Sequence, residues 1–459
     1  MEEDLGSYHH VLLRPVVWFA QEQKKDRKDN RGAEKRMKLV EKHIIRKGRS
    51  LFKTLDDLCF LAKNLYTAAL YAIRQHFFKT GEFLSYCQIQ KLFQNEKQPD
   101  YYALPAKVSQ QILMLVCANF QSFFQALQAY KENPEKFQAR PRLPGYKHKT
   151  KGRCVVVYTA QAVSVPWLRK GIIRLSKSAV SFPTKQENIQ QVRIVPRYNH
   201  CKIEVVYEAE PQSRELDFDK IAGIDIGLDN LAAVTSNHGQ FRPILINGRP
   251  LKAINHYFNK MRSKLMSFVS NRGSSRRIEK LTHKRNCKID FYLHNTSRFI
   301  IDLLLQYHIG TLVIGKNDLW KQSISLGKRN NQNFVSIPHA SFVSRLQYKA
   351  QLAGIQVHIV EESYTSKCSF LDNESIQKHA SYQGKRVFRG LFRSSNGQKI
   401  NADVNGSANI IRKVFPNAFA DGIQGVVVPP KRVNPLKGAK LCSSDLWHAS
   451  GIPEIPCRC

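Results

Sequence analysis

The sequence predicts a multidomain α/β protein, and three observations carry that expectation. The chain has 459 residues, 42% of them hydrophobic, enough for two or three domains with full cores. Strand-like and helix-like segments alternate beyond residue 220, whereas two helical blocks flanked by strand-like runs fill the first half. The stretch "IAGIDIGLDNLAAVTSN", residues 221–237, runs an apolar strand straight into Asp225. A carboxylate at the end of a buried strand needs a charge partner, hydrogen bonds or a metal to offset its desolvation.

Charge narrows the class. Lys and Arg number 72 against 36 Asp and Glu, a net charge of +36. Such a surplus repels itself and implies a polyanionic partner. Nucleic acid is the default, and a ribosomal or membrane-surface protein is the plainer alternative. No apolar run approaches the roughly 20 residues of a membrane span. The acidic, polar start "MEEDLGSYHH" lacks a signal-peptide pattern. The expectation is a cytoplasmic, nucleoid-associated protein with no membrane partner. Ten cysteines without a CxxC pair read as reduced structural thiols.

Residues 1–36 form a highly charged leader without apolar period and are predicted to be disordered. Residues 37–50 carry a strand signal. Residues 51–138 hold the helices. Leu58, Leu61, Leu65, Ala68, Ala72 and Phe77 recur at helical steps, as do Val108, Ile112, Leu115, Phe123 and Leu127. Pro105 suits the first turn of the second block. The segment "ARPRLPGYKHKTKGR" then sets Arg140, Arg142, Lys147, Lys149, Lys151 and Arg153 around Tyr146 and His148. A charge run is usually a solvated face, but cations interleaved with an aromatic in a Pro- and Gly-bearing loop suit a grip on a nucleic-acid backbone. Four strand-like runs follow, as in a small barrel or sheet domain, and residues 217–220 read as a linker.

Strands at 221–226, 231–236 and 242–246 are expected to form an antiparallel meander. A basic helical region spans 250–308. Then come "TLVIG" as a fourth strand, a helix near 338–353, "GIQVHIVEE" as a fifth strand, and a last helix containing "ADVNGSANIIRKVF". This order describes a ribonuclease-H-like arrangement. Residues after about 418, rich in Pro, Gly and Lys, are predicted to be an extended or disordered tail.

In such a sheet a site forms at the ends of neighbouring strands. Asp225 ends the first strand, and Asp403 opens the last helix with Asn405 and Asn409 beyond it. Either aspartate alone reads as a turn former or a helix-start charge. Together, in so basic a chain, they suggest metal ligands. Two carboxylates about 4 Å apart repel by roughly 4 kcal/mol at a surface-like dielectric. A divalent cation reverses that sign. Mg²⁺ takes oxygen ligands and leaves positions open for phosphate, and two such ions stabilise both oxygens of an in-line phosphodiester cleavage.

Three motifs in order, "GIDIGLDNLAAV", "EESYTSKCSFLD" and "INADVNGSANI", resemble TnpB, the transposon-encoded RNA-guided DNA endonucleases related to type V CRISPR effectors. The likeness is strongest over residues 221–415 and extends to the basic loop and the helices before it. It implies a wedge-like β-barrel (37–50 and 139–216) with an inserted helical recognition domain (51–138). A RuvC nuclease domain of the ribonuclease-H class would fill 217–418, and a tail 419–459. It further implies a guide RNA, and target DNA met as duplex beside a short adjacent motif and then unwound. Mg²⁺, with Mn²⁺ as a substitute, is the cofactor the carboxylates suggest; the oligomeric state is open in the sequence, with a monomer on RNA favoured. Asp225 and Asp403 match the family's first and last catalytic aspartates.

Two departures stand out. The family's middle glutamate ends the fourth strand, where this chain has Gly315. The family's four-cysteine zinc ribbon is reduced over 365–400 to Cys368, and His358 and His379 are isolated. A tetrahedral site needs four N or S donors, so no zinc is expected. Packing by Phe370, Leu371, Phe388 and Leu391 is expected in its place. Glu361 and Glu362 end the fifth strand, one strand spacing of about 4.8 Å away if the two strands are neighbours. Either can supply the missing carboxylate. Glu362 is the less ordinary of the two, because the family often has proline there. Asp318 is a further substitute. The expected catalytic set is Asp225, Glu362 or Glu361, and Asp403. An RNA-guided DNA-binding protein that does not cut is the alternative. A general basic RNA-binding protein would explain the charge but not the three ordered motifs.

Overall fold

A computed structural model of the chain describes residues 36–197, 199–269, 273–317, 337–420 and 422–436. The predicted leader, Asp318 and the tail beyond residue 436 lie outside the described residues. The described residues divide into two compact units, one of residues 36–209 and one from residue 210 onward.

In the first unit β1 (Met37–Arg46) runs into α1 (Ser50–Thr80), α2 (Tyr86–Asn95) and α3 (Ala106–Glu132), then β2 (Val156–Thr159), β3 (Ile172–Arg174), β4 (Ser181–Pro183), β5 (Ile189–Arg197) and β6 (His200–Ala209). Gly81 ends α1 at φ 76°, a left-handed turn that suits glycine. Ser85 opens α2 with a capping box to Gln88. The sheet order is β1-β6-β5-β2, all antiparallel, and β3 pairs only with β4. The expected barrel is therefore an open four-stranded sheet and a separate hairpin among the described residues. The short β2 stays at one edge and β1 at the other. The helices lie between β1 and β2 in the chain and share one core with the sheet through Leu65, Ile73, Val116, Phe120, Val192 and Ile203.

One expectation needs correction here. By length and composition α3 is apolar enough to cross a membrane. Its Val108, Ile112, Leu113, Val116 and Phe120 are instead buried in the core shared with α1 and the sheet.

The second unit follows the predicted order closely. It comprises β7 (Asp217–Asp225), β8 (Asn230–Ser236), β9 (Ile244–Asn247), α4 (Arg249–Met266), α5 (Arg276–Gln306), β10 (Ile309–Gly315), α6 (His339–Leu352) and β11 (Gln356–Val360). It continues with β12 (Lys385–Phe388), β13 (Leu391–Arg393), β14 (Lys399–Asn401), α7 (Ala402–Val414) and β15 (Lys431–Val433). The main sheet runs β11-β10-β7-β8-β9-β15. β10 is parallel to β7 and β11, and β7, β8 and β9 alternate in direction. The supposed linker 217–220 is the start of β7: Asp217 pairs with Ile309, and its exposed charged residues hid the strand. The tail is not wholly extended either: Gln424–Val427 forms a helical turn before β15 adds a parallel edge strand beside β9.

Strand parity decides what faces what. Ala222, Ile224 and Ile226 point to one face, into a core with Leu293, Ile300 and Phe342 from α5 and α6. Ile221 and Gly223 point to the other, under α7. A Cβ on Gly223 would lie 2.5 Å from the Ser407 carbonyl oxygen, so α7 packs directly on the β7 backbone.

Candidate active site and nucleic-acid interface

Asp225 has the same parity as Ile221 and Gly223, so it lies on the α7 face at the end of β7. There it meets α7: a Cβ on Gly406 would come within 2.9 Å of Asp225 Oδ2. Ser407, one residue on, holds the helix down by donating to the Gly223 carbonyl at 2.8 Å. Gly315 ends β10 on the same face, since Val313 packs against Ile410 and Ile411 of α7. Gly315 pairs with Val360, and Glu362 lies two residues further along the same face.

The Glu362 side chain reaches back over Gly315. Its Cγ lies 2.6 Å and its Oε1 3.0 Å from where a Gly315 Cβ would stand. The space vacated by the missing side chain is filled by a carboxylate from the neighbouring strand. Glu361 is not brought in: its side chain is exposed, and its carbonyl accepts from Lys413 at 2.8 Å. Of the two glutamates at the strand end, the structure brings only Glu362 to Asp225.

Asp403 sits in the first turn of α7, which Asn401 caps by accepting from the Asp403 and Val404 amides. Its carboxylate accepts from Asn230 Nδ2 at 2.6 Å and faces Arg386 at 3.5 Å. Neither partner was picked out from the sequence. The signal for Arg386 was the run of cations Lys385, Arg386, Arg389 and Arg393 just ahead of Asp403. Arg389 and Lys252 pair with Asp229, so the β12–β13 turn and α4 are tied to the loop after β7.

Burial raises both inner carboxyls. Asp225 is pushed up to about 7, by burial first and then by the charge of Asp403, with Arg386 opposing. Glu362 is pushed up to about 8, by burial and then by Asp225. Glu362 Oε1 is buried with no hydrogen-bond partner. Among the described residues no trio of His, Cys, Asp or Glu is drawn together tightly enough to hold a metal ion as it stands. Asp403 is engaged by Asn230 and Arg386. The donor set nevertheless fits a hard divalent cation: carboxylate oxygens that repel one another, one of them unpartnered and out of water.

The segment 365–400 is organised by polar side chains. Buried Asn405 accepts from the Phe370 amide and donates to the Cys368 carbonyl, both at 2.9 Å. Buried Asn409 donates to the carbonyls of Thr365 and Cys368. Glu374 accepts from the amides of Ser369 and Gln383. Phe370 and Phe392 join the core under α7, with Leu371 packed against it. Phe388, expected to pack there, is 63% exposed, because it sits at the β12–β13 turn. Cys368 Sγ contacts the Gln377 carbonyl at 3.6 Å, the His358 ring packs on Phe415, and His379 pairs with Ser375.

The basic loop lies along α1 in the first unit. Arg140, Arg142, Tyr146, Lys149 and Lys151 are exposed, and Lys147 and Arg153 half-buried. Arg74 of α1 stacks on Tyr146 at 5.0 Å, and Lys147 lies over Tyr66 at 4.9 Å. His148 shapes the turn, its Nδ1 accepting from the Thr150 and Lys151 amides. Arg153 makes a bidentate pair with Asp56, at 2.8 and 2.7 Å. Its guanidinium is thereby fixed in the fold, unlike the exposed cations around it. Asp56, 97 residues away in sequence, was the missing clue.

Two measurements bear on this geometry. Unfolded carboxyls here lose their protons near 3.8 and 4.5, whereas the native ones hold theirs to about 7 and 8. Stability present below about pH 4 is therefore lost as pH rises through the native values. The metal-free protein should melt at lower temperature at pH 8 than at pH 5.5. Glu362→Gln should flatten that slope, and an unchanged slope in the variant would contradict the assignment. Mg²⁺ should stabilise more at pH 8 than at pH 5.5. Separately, elemental analysis of the purified chain should find no stoichiometric zinc, and one zinc per chain would overturn the metal-free account of residues 365–400.

Comparison with known proteins bears on the same region. Residues 204–320 match the family model OrfB_IS605, described as a probable transposase, and residues 339–410 match the Cas12f1-like TNB domain. The CRISPR-associated endodeoxyribonuclease Cas12f1 of Sulfoacidibacillus thermotolerans is 26% identical over 254 residues, 52% of this chain and 56% of that protein. The TnpB-like protein ORF457 of Acidianus two-tailed virus is 24% identical over 236 residues, 48% of each. The chain thus spans about half the length of the curated relatives it matches. Among solved structures, Cas12f1 in complex with sgRNA and target DNA aligns with a TM-score of 0.47 at 14% identity, over 79% of this chain and 82% of that one. Asp225 falls in the first family match, and Glu362 and Asp403 in the second. Over residues 204–410 the chain is similar to the TnpB-like proteins and the related Cas12f endonucleases.

Proposed function

We propose that the chain is an RNA-guided DNA endonuclease that cuts phosphodiester bonds with Asp225, Glu362 and Asp403 and divalent metal, Mg²⁺ in the first place. The observation that carries this reading is the Glu362 carboxylate in the space above Gly315, beside Asp225. A family position lost on one strand is thereby refilled from the next.

The three carboxylates would hold the metal. When bound, the cation supplies the positive charge that a phosphodiester needs as negative charge gathers on its oxygens. The chain's own groups do the rest. Asn230 fixes Asp403, Asn317 fixes Glu362, and Gly406 leaves room for Asp225. Arg386, half-exposed at the rim, offers a guanidinium to a phosphate oxygen. Near neutral pH without metal, the Asp225–Glu362 pair retains a proton that metal binding releases.

A guide RNA would select the target by base pairing, and duplex DNA would be met at a short adjacent motif before unwinding. The exposed cations at 140–151, beside Tyr146, suit phosphate and base contacts within the first unit. Such a protein would act in the prokaryotic cytoplasm, where its DNA and RNA lie, as a monomer on RNA. A second reading, guided binding without cleavage, is favoured by one observation: Arg386 already serves as counter-ion to Asp403.

Cleavage of a matched target with the native RNA separates the two. Asp225→Ala, Asp403→Ala and Glu362→Gln should each abolish cutting while leaving guided binding largely intact, and Glu361→Gln should be mild. A Glu362→Gln variant that cuts normally removes the relocated glutamate from the mechanism. An unchanged protein that binds but never cuts establishes the second reading. The purified protein should also carry RNA whose affinity falls steeply with salt, by about 10³-fold or more between 50 and 200 mM if six or more phosphates are neutralised. A flat salt dependence would remove the phosphate-gripping role of the loop.

A further inference from the structure

We propose that Asn317 is the positioning residue that turns Glu362 into a metal-facing carboxylate. This rests on the reading of Glu362 given above and adds the device that makes it work. The parallel ladder between β10 and β11 ends at Gly315 and Val360, with one more bond from the Lys316 amide to the Val360 carbonyl at 2.8 Å. Past that point the backbones stop pairing, and the Asn317 side chain takes over. Its Oδ1 accepts from the Glu362 amide at 3.0 Å, and its Nδ2 donates to Glu362 Oε2 at 3.3 Å.

Each half of this bridge has a separate consequence. The amide bond holds the main chain of residue 362 in register beyond the strand. The carboxylate bond fixes the side chain, whose free rotation would otherwise be lost only when the metal binds. The amide orientation is forced by its partners: the reverse flip would set Nδ2 against an N–H and Oδ1 against a carboxylate oxygen. With Oε2 held, Oε1 is left buried, unpartnered and directed over Gly315. Gly315 and Val360 pair at the ends of their strands, and the bridge two residues beyond them holds Glu362 on the side where Asp225 lies.

A residue that merely capped the strand end would need only the bond to the Glu362 amide. Asn317→Asp separates the roles, because it keeps that acceptor and loses the donor to Oε2. The experiment is Mn²⁺ titration of the full-length chain freed of nucleic acid, followed by the electron paramagnetic resonance signal of free Mn²⁺. Melting with EDTA at pH 6 checks the fold. Glu362→Gln should weaken Mn²⁺ binding. Asn317→Ala and Asn317→Asp should each weaken it by about 10-fold, the usual scale for a group that orients a ligand. Asn317→Ala placed on Glu362→Gln should cost nothing further, since both act through the same carboxylate.

Wild-type affinity in both Asn317 variants, or losses that add to that of Glu362→Gln, would overturn the proposal. Tighter binding by Asn317→Asp would mark position 317 as a ligand and overturn it too. Should Asn317→Ala fail to fold, the isosteric Asn317→Asp still decides. If Glu362→Gln itself binds Mn²⁺ normally, the underlying assignment of Glu362 fails, which is a different result from an inert Asn317.

Discussion

Like charges gathered in a poorly hydrated corner are the constraint on which the second unit turns. Asp225 and Glu362 meet under α7, where neither is well solvated and each raises the energy of ionising the other. Much of the nearby architecture makes that corner tolerable. Gly406 gives way to Asp225 and Gly315 to Glu362. Asn230 and Asn317 each donate to a carboxylate, and Arg386 leans in as the nearest cation. A core that merely needed stability would place apolar side chains there. Repulsion retained in this way, with a buried oxygen left unpartnered, is what the proposed cation site would draw on.

The β12–β14 sheet delivers that cationic neighbour, and it is held without a cysteine cluster. Asn405 and Asn409 point back from α7 into the 365–370 turn, and Glu374 gathers two amides at the turn's far side. All three side chains are almost fully buried and all are hydrogen-bonded. A buried network with its bonds satisfied rigidifies a segment, whereas a half-satisfied one would weaken it. The same helix therefore supplies Asp403 on one side and the anchors of the 365–370 turn on the other.

The sequence made the long periodic elements legible, because strand and helix periods persist over many residues there. β7, β8, β10, α6, β11 and α7 lie close to where the pattern puts them. What escaped notice has a physical reason in each case. β12, β13 and β14 are three or four residues long, too short for a period to show. Asp217–Lys220 carries charges because its side chains are largely exposed, although its backbone pairs with β10. Arg153 reads as one more loop cation until Asp56 is seen to claim it. Asp225 and Asp403 could be named from their places at element ends. Asn317 and Arg386 become visible only when a second strand or a distant hairpin is brought beside them.

The proposed exchange between Gly315 and Glu362 rests on what metal binding constrains. It requires an oxygen at a point in space, not at a point in the chain. Parallel neighbours put residue 362 within a side chain's length of that point, and glutamate has the length. The two positions are then mutually exclusive: a Cβ at 315 would stand 2.6 Å from Glu362 Cγ and 2.5 Å from Ile410 Cδ1. A side chain returned to 315 would expel Glu362 or displace α7, so the glycine is part of the carboxylate's seat. Gly315, Asn317 and Glu362 act as one unit: the first clears the space, the second aims the side chain, and the third brings the charge. Single substitutions within such a unit are expected to be non-additive, because each of the three has its effect through the position of one oxygen.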